Sequence, residues 1–500
     1  MSRINRSFLA ALLIALLLPA ALILPGRAAE EDDCVYFFNT INSVCQSDMI
    51  LVSSNGHWGL IDTSNRESPT IEETDGTEVP AEEQLGLSNG EFFRNGKTVA
   101  KFMIDSLGVT HLDFILGTHA HSDHIGGVPE IAALEHNGVR LVDENTVYFC
   151  KPYRPVNEKN DVTWHNGAFA LQAVRGMEEA GARIADVSDP QQAAETLALI
   201  PGLTEAEYFP GTGYDDTITF RMGDFSIRLY NLFTTPSELN ENVNSIVAVL
   251  QKGEETIVSL GDIDLDQRVE IRVAQAIYED VGTADLVKAA HHGAARYSNS
   301  LETADLQQPR YAVCTGRSPA KSAYALYQYY CRKTYGTEFY CVSDTQRGIC
   351  ARVGEDRLDF FAMTGYGNNL RFDPAPVDDA PPRDGWAAMD KVMSFEDAEA
   401  NVDWIYFENG EPRTGWLQQG KTWYYLDPDG RMANGFRTVD GKIYYFYPEA
   451  GEHSHGAMAT GWQYIGGSEY YFYPSGAAAV GETEIDGASV LFDENGKRIG

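Results

Sequence analysis

Over the first two thirds of the chain, short apolar runs alternate with amphipathic segments, and the period of each run indicates what it folds into. Residues 35–38, 49–53 and 59–61 are apolar stretches too short for helices, and Ser54-Asn55-Gly56 supplies a turn between the last two, so they predict opening strands. Residues 98–107 return to apolar side chains at helical spacing, and 112–116 form a continuous apolar run ending at Gly117, the pattern of a buried strand. A second strand series is predicted at 217–220, 226–230, 245–250 and 256–260, followed by helical periodicity over 267–278. Two strand groups with helices between them predict an α/β domain over 33–367, a β-sandwich with helices on both outer faces.

The texture then changes twice. Residues 372–385, FDPAPVDDAPPRDG, are rich in Pro and Asp and have no period, which marks a linker, drawn here at 368–400. From 401 to 500, Gly and aromatic residues take over. Triplets recur at Trp423-Tyr424-Tyr425, Tyr444-Tyr445-Phe446 and Tyr470-Tyr471-Phe472, each before a turn. Their spacing is roughly twenty residues, with a longer unit around His453-Ser454-His455, which predicts a stacked β-hairpin array.

Composition adds a compartment and removes one class of partner. The net charge of −35 is spread along all 500 residues, so the surface repels polyphosphate and argues against nucleic acid as a partner. Arg3 and Arg6 precede an apolar run, 8–24, broken by Pro19, and Gly26-Arg27-Ala28 offers small residues for cleavage. Residues 1–28 therefore read as an export signal, and the mature chain as secreted with no stable membrane span. Export permits disulfides among the seven cysteines, and the clustering of Cys331, Cys341 and Cys350 predicts one. With no CxxC pair, a cysteine zinc knuckle is not expected.

The chemistry is concentrated after the strand at 112–116. Residues 118–127 read THAHSDHIGG, placing His119, His121, Asp123 and His124 in one loop at a strand exit. Imidazole nitrogens and a carboxylate oxygen are the ligands that borderline divalent metals prefer. The chain has only 11 histidines, and three within six positions is too dense for a chance polar loop. Gly126-Gly127 lets the backbone pass close and start a helix. Asp262, in a Gly-Asp pair after the strand at 256–260, stands where it can bridge two metals, and His291-His292-Gly293 follows the run 285–290. Alone, each of these pairs is an ordinary turn or surface feature; three strand-end clusters in order point to a metal site.

At these residues the chain resembles the metallo-β-lactamase superfamily, in particular the branch with competence-type DNA-uptake hydrolases and phosphorylcholine esterases. The segments Cys45-Gln46-Ser47-Asp48-Met49-Ile50, Ser54-Asn55-Gly56-His57-Trp58, Ile61-Asp62-Thr63, Asn244-Ser245 and Asp285-Leu286-Val287-Lys288 continue the similarity. The resemblance implies an αββα sandwich, with His119, His121 and Asp262 on one zinc and Asp123, His124, Asp262 and His292 on the other. It leaves His291 to face a substrate phosphate, makes Asp262 and His291 the catalytic pair, and allows manganese or iron in place of zinc. One departure stands out: between His124 and Asp262 only His136 and His165 occur, and neither supplies the third histidine that many members use.

The C-terminal repeats are similar to choline-binding repeats, through Thr414-Gly415-Trp416, Trp423-Tyr424-Tyr425 and Gly430-x-Met432. Trp416, Trp423 and Tyr425, with Trp462 in a second unit, are the residues expected to cage a quaternary ammonium. Phe436 replaces one tryptophan, and Ile443, Glu469 and Ser489 stand where others are expected, so full cages are few. Together the two resemblances imply a cell-wall-associated phosphoric ester hydrolase of the phosphorylcholine-esterase type, with teichoic acid and its choline-like groups as partner. An exported nuclease or general phosphodiesterase, and a non-catalytic wall-binding protein with a relic hydrolase domain, are the alternatives.

Overall fold

The computed structural model describes residues 33–40, 46–66, 70–72, 78–80, 93, 95–151, 165–233, 241–264, 268–293, 298–316, 325–388, 404–449, 451 and 453–499. The export signal read at 1–28 and Cys45 lie outside them. Two large sheets form the first domain. The nine-stranded sheet runs, edge to edge, Arg183–Asp186, Val147–Cys150, Phe114–Leu116, His57–Ile61, Ile50–Ser54, Cys34–Phe38, Gly348–Val353, Leu358–Thr364 and Arg371–Pro374. The eight-stranded sheet runs Thr204–Phe209, Thr217–Met222, Phe225–Tyr230, Val247–Lys252, Glu255–Ser259, Leu286–Lys288, Tyr311–Cys314 and Glu338–Cys341.

Alternation along each strand decides which side faces which layer. Val35 and Phe37 point into the space between the sheets, where Phe114, Phe149 and Phe220 meet edge-on or stacked at 5.4–6.0 Å between ring centroids. Tyr36 and Phe38 point the other way, onto a layer containing Val99, Phe102, Ile131 and Ala173 from helices. On the far face of the second sheet, Val247, Val249, Val258 and Val287 pack against Val269, Val273 and Ile277 of the helix Val269–Val281. The result is the four-layer αββα sandwich expected from the two strand groups.

Local differences have local causes. The helix expected at 98–107 starts earlier, at Gly96, because Asn95 caps it by accepting from Thr98 N at 2.9 Å; it then widens into a π turn, Met103–Leu107, that stops at left-handed Gly108. The segment read as a Pro/Asp-rich linker at 368–400 carries two strands among its described residues. Arg371–Pro374 adds an edge strand to Leu358–Thr364, a place where a proline is tolerated because its missing N–H faces no partner. Gly385–Ala388 pairs with Trp404–Glu408. Among the described residues no disulfide forms: Cys331 lies on the helix Ala325–Tyr335, Cys341 on the second sheet and Cys350 on the first.

The C-terminal part is a file of two-stranded hairpins: Gly415–Gln419 with Thr422–Leu426, Gly435–Val439 with Lys442–Phe446, Gly461–Ile465 with Ser468–Phe472, and Gly481–Ile485 with Ala488–Phe492. Their turns use Asp440-Gly441, Gly466-Gly467 and Asp486-Gly487, all with positive φ, as tight hairpins of this twist require. Among the described residues no helix is long and apolar enough to cross a membrane.

Candidate metal centre

Parallel strands bring the chemistry to one edge of the sandwich. In the first sheet Ile61 and Leu116 are register partners, so Asp62 and the loop after Gly117 leave side by side; Ile50 pairs with Ile61, which places Asp48 at the same edge. In the second sheet Ser259 and Lys288 are partners, so Gly261-Asp262 and His291-His292 leave together. The THAHSDHIGG loop turns tightly beneath this edge: a Cβ at Gly127 would stand 2.4 Å from the Thr63 carbonyl oxygen, so only glycine fits.

The side chains converge on Asp262. His124 Nε2 lies 3.0 Å from Asp262 Oδ2, and His292 Nε2 lies 3.3 Å from both Asp262 Oδ2 and Asp123 Oδ2. His119 Nε2 and His121 Nδ1 face each other at 2.8 Å, and the His119 and His124 ring centroids are 4.2 Å apart. His291 is further out, with Nε2 at 3.8 Å from Asp262 Oδ2 and Nδ1 at 3.3 Å from the Asn242 amide. All seven residues named from the sequence are therefore gathered at one place.

A supporting layer holds them, and sequence reasoning gave it no role. Asp62 Oδ2 is 2.7 Å from His124 Nδ1, while Asp62 Oδ1 accepts from Thr118 N at 2.8 Å. Asp48 Oδ1 is 2.9 Å from His292 Nδ1, and its other oxygen contacts Lys288 Nζ. Lys288 is fully buried and donates to the Gly261 carbonyl at 2.9 Å. Asp48, His124, Asp262 and His292 together form a compact buried group of donor atoms within 4.8 Å. Asp48 nonetheless engages the Nδ1 side of His292, opposite the Nε2 that faces Asp262, a geometry that suits an orienting carboxylate, whereas Asp123 stands on the Nε2 side. In the sequence, Asp62 is marked by its place after a strand, the same kind of position as Asp262, and by the segment Ile61-Asp62-Thr63.

The left-handed backbone at His291 and His292 (φ 52° and 55°) is a strained conformation for histidine, and a clamp keeps it. Asn299 accepts from Ala290 N and donates to Ala290 O, both at 2.9 Å, while buried Glu270 accepts from Asn299 N and Ser300 N. His291 N donates to Gly261 O at 3.1 Å, tying the two second-sheet loops together.

Electrostatics divides the imidazoles into two kinds. Burial holds His119 well below the usual histidine range, and the neighbouring His124 and His121 add to the effect; burial likewise lowers His121 and His291. At His124 and His292 burial also opposes charge, but Asp262 with Asp62 and Asp123 around the first, and Asp262 with Asp48 around the second, raise them well above that range. Burial alone would raise Asp262, yet His124, His292 and His291 hold it well below ordinary carboxylates.

The donor set fits divalent metal. His124 Nε2, His292 Nε2 and Asp262 Oδ1 are buried, none makes a well-directed hydrogen bond, and the two nitrogens instead face carboxylate oxygens at 3.0–3.3 Å, an arrangement that a cation between them would satisfy. The third histidine stays missing: His136 Nε2 lies 2.9 Å from Asp105 Oδ2, outside the cluster, and the His165 side chain lies outside the described residues. Beside the His119/His121 half stand Ser245, whose Oγ is 3.4 Å from His119 Nδ1, and Glu241, which accepts from Ala120 N at 3.3 Å.

In the repeats, Trp416 packs edge-on against Tyr425 and Tyr444 at 5.1 and 4.9 Å, with Trp423 at 6.3 Å. Trp462 meets Tyr471 at 5.2 Å and Phe492 at 6.0 Å. Trp423 and Trp462 remain exposed.

Comparison with known proteins finds family matches in both parts of the chain. Residues 42–212 match the metallo-beta-lactamase superfamily, 413–456 the choline-binding repeat and 460–478 the cell wall binding repeat. The chain therefore carries a metallo-beta-lactamase superfamily domain followed by choline-binding repeats. Among solved structures it is similar to the choline binding domain of Spr1274 from Streptococcus pneumoniae, at 38% identity over 18% of this chain and 98% of that one, TM-score 0.15. It is also similar to choline binding protein F from the same organism, at 25% identity over 30% of this chain and 48% of that one, TM-score 0.20, so it spans about half of that relative's length. The metallo-beta-lactamase fold protein YhfI from Bacillus subtilis matches at 10% identity over 65% of this chain and 100% of that one, TM-score 0.34. No curated protein matches the chain.

Proposed function

We propose that the chain is an exported, wall-bound hydrolase of phosphoric esters that works with two divalent metal ions, zinc or, depending on supply, manganese or iron. Its substrate on this reading is the phosphorylcholine of teichoic acid or a related phosphodiester. The carrying observation is the convergence of His124 Nε2 and His292 Nε2 on the buried Asp262 carboxylate, with Asp123 Oδ2 3.3 Å from His292 Nε2, beside a second pair, His119 and His121, that burial pushes toward the neutral form. His119, His121 and Asp262 hold one ion, and Asp123, His124, Asp262 and His292 the other. When bound, such ions supply Lewis-acid polarisation of a phosphoryl oxygen and an activated water.

The protein's own groups do the rest. Asp62 and Asp48 fix the rings of His124 and His292 through Nδ1, so that Nε2 of each points inward. Donation from the Asn242 amide to His291 Nδ1 leaves the proton of the neutral ring on Nε2, the atom nearer Asp262. There it can donate to a phosphoryl oxygen or to the leaving alkoxide. Trp416, Trp423 and Tyr425 provide aromatic faces for a choline-type ammonium, which would keep the enzyme on the polymer that carries its substrate.

A paired assay on the metal-loaded full chain tests the proposal. Faster turnover of p-nitrophenylphosphorylcholine than of bis-p-nitrophenyl phosphate is expected. The reverse order would move the activity to a general phosphodiesterase. Inertness toward both at full metal occupancy would leave a wall-binding protein with a relic hydrolase domain.

A further inference from the structure

The hairpins repeat one arrangement closely enough that its last copy shows a substitution. In the turn after a hairpin, a backbone N–H donates to the carbonyl of the second residue on an earlier hairpin's returning strand. Met458 N reaches Trp423 O at 2.8 Å, Ala478 N reaches Ile443 O at 2.7 Å, and Arg498 N reaches Glu469 O at 2.9 Å. These bonds put three sets of side chains in equivalent places. The first set is Trp416, Trp423 and Met458, the second Phe436, Ile443 and Ala478, and the third Trp462, Glu469 and Arg498.

In the third set the chemistry inverts. Where the first has a tryptophan and a methionine, the third has a carboxylate and a guanidinium. Arg498 Nη1 lies 2.7 Å from Glu469 Oε2, and Arg498 Cζ stands 5.6 Å from the centroid of the Trp462 ring, within cation–π range. The guanidinium is anchored twice, by its own backbone N–H on the Glu469 carbonyl and by its side chain on the Glu469 carboxylate. Among the described residues it is the cation that stands over an aromatic ring of the array, and Trp416 and Trp423 have no such neighbour.

We propose that Arg498 is an internal occupant of the Trp462 cation site: the chain's own guanidinium stands where a quaternary ammonium would bind, so the array offers the Trp416–Trp423 site to choline and withholds Trp462. This rests on reading the repeats as ammonium-binding. A tethered guanidinium competes at high effective concentration, which a free, weakly held ligand cannot overcome at ordinary levels. Glu469 stands where the first set has its second tryptophan, and its carboxylate recruits the occupant to the Trp462 ring.

Equilibrium dialysis of the full chain against choline tests this. Arg498→Gln is expected to bind one more choline per chain than the native protein, and Arg498→Gln with Trp462→Ala to return to the native number. Glu469→Gln, which releases the anchor but keeps the arginine, is expected to show the same extra site with weaker affinity. Both positions are exposed, and unchanged circular dichroism checks that the hairpins remain folded. An unchanged count in Arg498→Gln, or loss of one bound choline on Trp462→Ala in the native background, overturns the proposal while leaving the Trp416 site standing. Absence of bound choline in the native chain and in every variant overturns the ammonium reading of the repeats, and this proposal with it.

Discussion

At the edge of the sandwich, His124 and His292 are each gripped at Nδ1 by a buried carboxylate, and Lys288 is sealed against Asp48 with no access to water. In the repeats, Trp416 is positioned by ring edges of Tyr425 and Tyr444, and its neighbour Trp423 is open to solvent. Both arrangements present side chains to a small charged ligand, but the forces differ in kind. Removing one partner from a buried charge pair strands the other and costs about 3–5 kcal/mol, whereas an aromatic pair is worth roughly 0.5–1.5 kcal/mol. The first region should therefore fail abruptly under single substitutions, and the second by degrees.

That contrast can be broken most directly at the ligands. His119→Ala with His121→Ala is expected to remove about one metal per chain and to lower turnover by orders of magnitude. Elemental analysis giving two metals in this variant would show that the pair holds none. Within the histidine pair, His292→Ala should lose metal, while His291→Ala keeps it and loses roughly 10²–10⁴-fold in kcat. Equal metal loss in both, on freshly purified protein, would erase the distinction between ligand and donor.

One step further from the ions, Asp48→Asn keeps the shape but weakens the hold on His292 and leaves Lys288 without its carboxylate. Metal affinity is expected to fall about 10–100-fold, read by competition with a chromophoric chelator. Native affinity in Asp48→Asn would mean the supporting carboxylate is dispensable. In the repeats, Trp416→Ala should weaken retention on a choline-mimicking resin by about 0.5–2 kcal/mol while turnover of small soluble esters stays unchanged. A fall in that turnover would show that the two regions are not independent. The smallest effect is expected where the two parts touch, at Lys333 and Glu411, paired at 2.8 Å but more than half exposed. Lys333→Ala is expected to leave Tm nearly unchanged, because solvent screens an exposed pair, and a clear loss of Tm would mark the contact as structural.

The fold was legible because both periods were strong. Buried strands such as Phe225–Tyr230 and the helix Val269–Val281 fall within a few residues of their apolar patterns, and the hairpins follow the aromatic triplets. Asn95, which starts its helix early, and Arg371–Pro374, which pairs inside a Pro/Asp-rich segment, escaped because a cap and an edge strand depend on neighbours rather than on period. At the site, the residues that stand out by type were visible, since three histidines in six positions need no structure to be noticed.

What the sequence determined by itself was local: which runs are strands, where a loop is dense in metal-type ligands, and where glycine and aromatic residues recur. Only the tertiary structure decided which nitrogen of each imidazole points inward, because that is set by Asp48 and Asp62, which lie 244 and 62 residues from the histidines they orient. It likewise decided that Trp462 lies beneath Arg498, since stacking of one hairpin on an earlier one brings the two together. Pattern along a chain reports burial, whereas orientation and occupancy depend on contacts between segments that share no period, and those exist only once the layers have packed.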